Sequence, residues 1–496
     1  MILVCILILL MAGGFLSWIA GRWRAVAAKW VALVAVVAAF VILVVFWGMH
    51  SPTADLTTAG VWLAAYHIKW IPQLGIGFHL GMDGLSLIMG VLTLFLGAVS
   101  ILGDWRAGYT HPGFYYFNFL WLLAGILGVF FALDLILLYF FWEVMLVPMY
   151  FILIGWGHEN KRYAGTKFFL FTQLSGLLML IAILGLYFIH GRNTGTYTFD
   201  YEALLGTSLS AKTGFWLMCG FLVAFVVKLP IVPFHSWLPD AYTQSPNSGT
   251  VILAALMSKT GAYGILRFVL PLFPEAARSF GFWGMLLGVV GILYGAKMAY
   301  AQSDLKRLIA FSSLSHMGFI MVGIFSFQAL AYQGVVMQMV AHALSIAGLF
   351  LLSEAIYART HTFDLDKMGR FWEQMPRMGG MTVVLVMASV GLPGLANFIA
   401  EFLVLAGAWQ THVILCVLAS VGLIASVVYS LVILQKVFHE RAATGVRVRD
   451  FSPRELLVSG LIVAAIVWLG FFPQPVFRAT QPAITHIVST VNTPEK

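Results

Sequence analysis

Apolar residues in this chain come in long, nearly unbroken stretches, and polar ones collect in the gaps between them. About 20 apolar residues in helical form cross a hydrocarbon core of ~30 Å. On that measure fourteen windows qualify: 1–20, 30–49, 81–102, 114–133, 135–156, 168–190, 214–234, 249–271, 280–300, 308–325, 328–355, 381–408, 411–435 and 455–473. The pattern predicts an all-α polytopic membrane protein of about 14 transmembrane helices. The longest gaps, around 50–80 and 191–213, leave no room for a large soluble domain. The first, with Pro52 and Pro72, reads as an ordered external loop, and the second, GRNTGTYTFDYEALLG, as a segment with room for a short surface helix. At the N-terminus the basic residues follow the apolar stretch, the reverse of a cleavable signal peptide, so a retained first helix is expected.

Composition agrees. The chain has 496 residues, 61% hydrophobic and 10% charged, against about 25% charged in a soluble domain. The 28 basic residues exceed the 20 acidic ones. That excess would suit nucleic acid, but its distribution reads as a topological signal instead. With fourteen spans, 19 of the 28 fall on one set of alternate loops and 6 on the other, termini included; Lys228, Lys259 and Arg267 lie inside spans. The positive-inside rule then puts both termini on the external side. Cys5, Cys219 and Cys416 stand alone in apolar runs, and no CxxC, HExxH, GxxxxGK[ST] or GxGxxG motif occurs. No metal or cofactor is expected in the chain itself.

Against this background a few ionisable residues are anomalous. Glu143 sits inside LYFFWEVMLVPMYF, Lys228 in FLVAFVVKLPIVPFHSW, Lys259 in ILAALMSKTGAYGIL, His316 in SSLSHMGFIM, His342 in VVMQMVAHALSIAGLF and Glu401 in GLPGLANFIAEFLVL. Each alone has an ordinary reading: a histidine hydrogen-bonded between helices, a structural ion pair for Glu143, or a cation such as Arg267 snorkelling to the headgroups. Together, two acids, two lysines and two histidines at mid-depth fit an ion or proton pathway. Pro230 and Pro233 follow Lys228, and GLPGLAN precedes Glu401, so the seventh and twelfth spans are expected to be broken in mid-membrane. Their separation by five suits two inverted five-helix repeats, spans 4–8 and 9–13.

KLPIVPFHSWLPDAYTQSPNSGTVILAALMSKTGAYGILR (228–267), with MDGLSL (82–87), FWEVMLVPMYFILI (141–154), SDLKRLIAFSSLSHMGF (303–319), QMVAHALSIAGLF (338–350) and GLPGLANFIAEF (391–402), resembles one family end to end. It is that of the antiporter-like membrane subunits of respiratory complex I, the proton-pumping NADH:quinone oxidoreductase, and of Mrp cation/proton antiporters. Glu401 stands where the L- and N-type subunits typically carry lysine, and the chain ends soon after the fourteenth span, so the M-type branch is the nearest. The resemblance implies a non-redox translocase subunit of a bacterial inner membrane, not catalytic alone, with FMN, iron–sulfur clusters and quinone held by other subunits. It implies L- and N-type subunits and membrane lipid as partners, and no nucleic acid. It assigns proton transfer to Glu143, Lys228, Lys259 (on a broken eighth helix), His316, His342 and Glu401, the first two as a pair. The segments are then 1–113, an N-terminal three-helix part; 114–271 and 280–435, the two repeats; and 455–496, the fourteenth helix and tail. The alternatives are an Mrp-type antiporter subunit, a hydrogenase-linked membrane subunit, or a scaffold bundle with no pathway.

Overall fold

The computed structural model describes residues 1–50, 62–440 and 448–492; Pro52, Arg441, Arg447 and Lys496 lie outside them. Among these residues, thirteen helices are long and apolar enough to cross a membrane. The remaining predicted span, the twelfth, consists of two shorter apolar helices in series, Pro376–Val390 and Ala396–Ala408. The fourteen spans of the hydropathy pattern are therefore all present. Helix starts follow ordinary capping chemistry. Asp83, Asp134 and Asp304 accept backbone N–H groups at the third, fifth and tenth spans, and Ser452 with Glu455 closes a capping box on the fourteenth.

The spans are not equivalent. The most apolar stretches of the eighth (Asn247–Leu272) and eleventh (Ala329–Thr360) spans are wholly buried in protein, whereas that of the fourteenth is little more than a quarter buried. Lys259, Arg267 and His342 therefore face other helices, not lipid.

Both expected breaks are present. The seventh span runs from Ala211 to Lys228, stops at the Leu229–Trp237 segment, and resumes as Leu238–Gln244. The twelfth turns through Gly391 and Gly394, both at positive φ, where side-chain-bearing residues are strained. The eighth span differs from expectation: it is not broken but runs continuously through two π-helical segments, Leu253–Met257 and Ile265–Val269, which flank Lys259. A π turn keeps the backbone hydrogen-bonded while shifting the helix face.

Two elements were not legible in the pattern. The first gap holds an antiparallel hairpin, β1 (Ala64–Ile71) and β2 (Ile76–Met82), in which His67 faces His79. Gly75 closes its turn at φ +68°, where a Cβ would meet the Tyr197 carbonyl oxygen at 2.1 Å. The second gap does contain a short helix, Tyr201–Leu204. After the fourteenth span the chain is no loose tail but a further helix, Gln474–Asn492, which buries Val476, Ala483, Ile484 and Ile487.

Candidate functional site

Four of the six anomalous residues meet along the middle of the molecule, each from a different span. Lys259 Nζ, from the eighth, donates to the Ala254 carbonyl at 3.0 Å, to Ser258 Oγ at 3.2 Å and to His342 Nδ1 at 2.7 Å. His342, from the eleventh span, packs its ring 5.3 Å from that of His316 on the tenth. His316 Nδ1 shares a 2.8 Å hydrogen bond with Glu401 Oε1, on the second half of the twelfth. Gln338 donates to the same Glu401 oxygen at 3.2 Å, and Ser389 Oγ lies 3.3 Å from His316 Nε2. All four titratable side chains are 2% exposed or less.

The local sequence explains this convergence. The π segments leave Lys259 on a seven-residue α-helical stretch, with its ammonium against the Ala254 carbonyl of the preceding π turn, which also accepts from Ser258 Oγ. The break at Gly391–Leu395 lets the second half-helix begin inside the bundle. Gly391 is close to the terminal acid: a Cβ there would stand 3.0 Å from Glu401 Oε2.

Lys228 and Glu143 stand apart from this chain of contacts. Lys228 is buried, and its ammonium has no hydrogen-bond partner among the described residues. It lies over the faces of Trp142, at 4.9 Å, and Phe168, at 5.7 Å, an arrangement that stabilises a cation through the ring quadrupole. Glu143 is half-buried and accepts from Gln173 Nε2 at 3.3 Å. The expected Glu143–Lys228 pair is not a direct contact: the described residues show no ion pair between them, and they interact as charges across a gap.

Other buried charges escaped the sequence reading. Lys306 counts there as a loop cation, yet it is fully buried, donating to Glu354 Oε1 at 2.5 Å and to the Ser245 carbonyl at 2.9 Å, with His158 on the same carboxylate oxygen at 3.3 Å. Arg267 does not snorkel to the headgroups. It is buried, forms an ion pair with Asp83, and stacks over Trp62. Asp83 lies in MDGLSL and serves both as the cap of the third span and as the counter-ion of Arg267.

A helical membrane bundle threaded by linked titratable groups defines an ion-translocating, antiporter-like class of protein. The family model described as NADH:quinone oxidoreductase/Mrp antiporter, TM, matches residues 132–427, and the chain belongs to that family. Subunit M of NADH-quinone oxidoreductase from Escherichia coli K12 is 44% identical over 499 residues, covering 98% of this chain and 97% of that protein. The subunit M of Pseudomonas aeruginosa is 46% identical over 489 residues, covering 96% and 95%. Among solved structures, a chain of Thermus thermophilus respiratory complex I with bound NADH superposes with a TM-score of 0.89 at 29% identity, covering 99% of this chain and all of the other.

Proposed function

We propose that this chain is a proton-translocating membrane-arm subunit of an NADH:quinone oxidoreductase, of the M type. The likeness to subunit M over nearly the whole length supports this reading, and it weighs against an Mrp-type or hydrogenase-linked role. The observation that carries the mechanism is the buried run Lys259–His342–His316–Glu401, in which every member can bind or release a proton.

Protons enter the run from Lys228, whose affinity follows the charge on Glu143, and leave through Glu401. Glu143, Lys228, Lys259, His316, His342 and Glu401 are thus the proton-transfer residues. The run includes a ring-to-ring step between the two histidines, and side-chain rotation there gates transfer. Electron transfer from NADH to quinone takes place in other subunits, which hold FMN, iron–sulfur clusters and quinone; this chain supplies no redox centre and is not catalytic alone. L- and N-type subunits and membrane lipid surround it. The basic loops face the cytoplasm and both termini the outside of a bacterial inner membrane, and residues 114–271 and 280–435 act as two inverted repeats.

The test is Lys259→Met in the assembled complex, in inverted membrane vesicles with NADH as donor. Assembly is retained and proton uptake falls at least roughly tenfold, as expected for loss of one essential proton-transfer group. Uptake close to wild type would remove Lys259 from the pathway.

A further inference from the structure

Outside the membrane bundle, the hairpin brings together three side chains that are far apart in sequence. His67 on β1 and His79 on β2 face each other across the two-stranded sheet and stack with ring centroids 4.5 Å apart. Asp200, which caps the short helix Tyr201–Leu204, places Oδ2 2.5 Å from His79 Nδ1. One ligand atom from each of the three lies within 4.8 Å of the others.

We propose that His67, His79 and Asp200 form a site for a divalent transition-metal ion, with Zn2+ the favoured occupant, that clamps the hairpin to the segment joining the sixth and seventh spans. Two imidazoles and a carboxylate are the donor set of open zinc sites, which take three protein ligands and leave a position for water. Tetrahedral ligands at about 2.1 Å from zinc are roughly 3.4 Å apart. An ion would therefore open the His79–Asp200 contact and draw His67 inward, each by about 1 Å.

The surroundings are those of a built site. Asp200 Oδ1 is occupied by the backbone N–H groups of Glu202 and Ala203 at 3.0 and 3.2 Å. That fixes the carboxylate and turns Oδ2 toward the histidines, the orienting role that outer partners play around metals. Gly77, on β2, leaves space for the His67 ring: a Cβ there would stand 2.9 Å from Nε2. The backbone around Asp200 is anchored on both sides, since the Phe199 N–H donates to the Gly75 carbonyl and the Tyr201 N–H to the Leu133 carbonyl. A plain ion pair accounts for His79 and Asp200 but not for the second imidazole.

The test uses the full chain in lipid nanodiscs, stripped with chelator and titrated with Zn2+ against a competing fluorescent chelator. The wild type is expected to bind one Zn2+ per chain, and its unfolding temperature to rise with the ion. His67→Ala, at an exposed position, should weaken binding at least roughly tenfold and abolish the rise. His67→Cys should restore both, a rescue that stacking on His79 would not produce. His412→Ala, at an exposed histidine elsewhere, should change neither. Absence of saturable one-to-one binding in the wild type, unchanged binding in His67→Ala, or an equal loss in His412→Ala each overturns the proposal.

Discussion

Lys259 shows how one residue's surroundings decide its use. A buried ammonium needs acceptors, and the fold supplies a carbonyl, a hydroxyl and an imidazole nitrogen. Only the imidazole can take the proton on, so the contact with His342 gives the group a direction. At the other end of the proposed run, Glu401 would have to both reach His316 and titrate. Glu401→Asp keeps the titration with one methylene less reach, whereas Glu401→Gln keeps the reach and loses the proton. Proton pumping in assembled complexes is expected to be partly retained by Asp and lost by Gln; equal activity in the two would make Glu401 structural. Residues like these were readable because a charge in an apolar run is conspicuous. Lys306 and Glu354 were not: Lys306 begins its helix among polar neighbours, and nothing in SDLKRL distinguishes a solvated lysine from one drawn 61 residues back in sequence to the Ser245 carbonyl.

At the scale of elements, the same chemistry fixes how the third span meets the eighth. Asp83, before the third span, and Arg267, in the second π segment of the eighth, are 1% and 2% exposed and paired. Removing one member of a buried pair strands the other and costs about 3–5 kcal/mol, whereas replacing both with apolar groups is often close to neutral. Arg267→Met alone is therefore expected to lower the unfolding temperature of the chain in nanodiscs sharply. Adding Asp83→Leu should recover part of the loss, less the cap that Asp83 provides to Ser86 N, worth about 1 kcal/mol. No recovery would show that the pair is not an isolated unit. Spans were legible because twenty apolar residues are a strong signal, and breaks because proline and glycine mark them. The π segments were not, since LAALM and ILRFV contain nothing that separates a π turn from an α turn. The hairpin was hidden because β1 is largely exposed and lacks the alternation of a half-buried strand. The last helix was hidden because its apolar positions are too sparse for a span.

Across the whole molecule, the run from Lys259 to Glu401 is hydrogen-bonded except between the rings of His342 and His316, while Lys228 and Glu143 stand apart from it. The proposed pathway therefore requires its two ends to be coupled electrostatically or by movement. Lys228 is in a favourable position for this: it is held over Trp142 and Phe168 without a hydrogen bond among the described residues, so its charge is supported by ring faces alone. Glu143, half-buried on the fifth span, is the charge proposed to bias it. If the two act as one unit, removing either removes the bias, and removing the second adds little. Glu143→Gln and Lys228→Met are each expected to cut pumping by an order of magnitude or more. The double variant should be no more than about twofold worse than either, a strong departure from additivity for residues that do not touch. Trp142→Leu, which leaves both charges but removes the nearer ring, is expected to give an intermediate loss of less than the coupling energy of either charge, because an aromatic face contributes about 0.5–2 kcal/mol to a cation. Pumping rates of the assembled complexes, normalised to NADH oxidation, decide the matter. Losses that multiply would separate Glu143 from Lys228 and leave the fifth span's carboxylate to another partner, with Tyr139 and Gln173 the polar groups beside it.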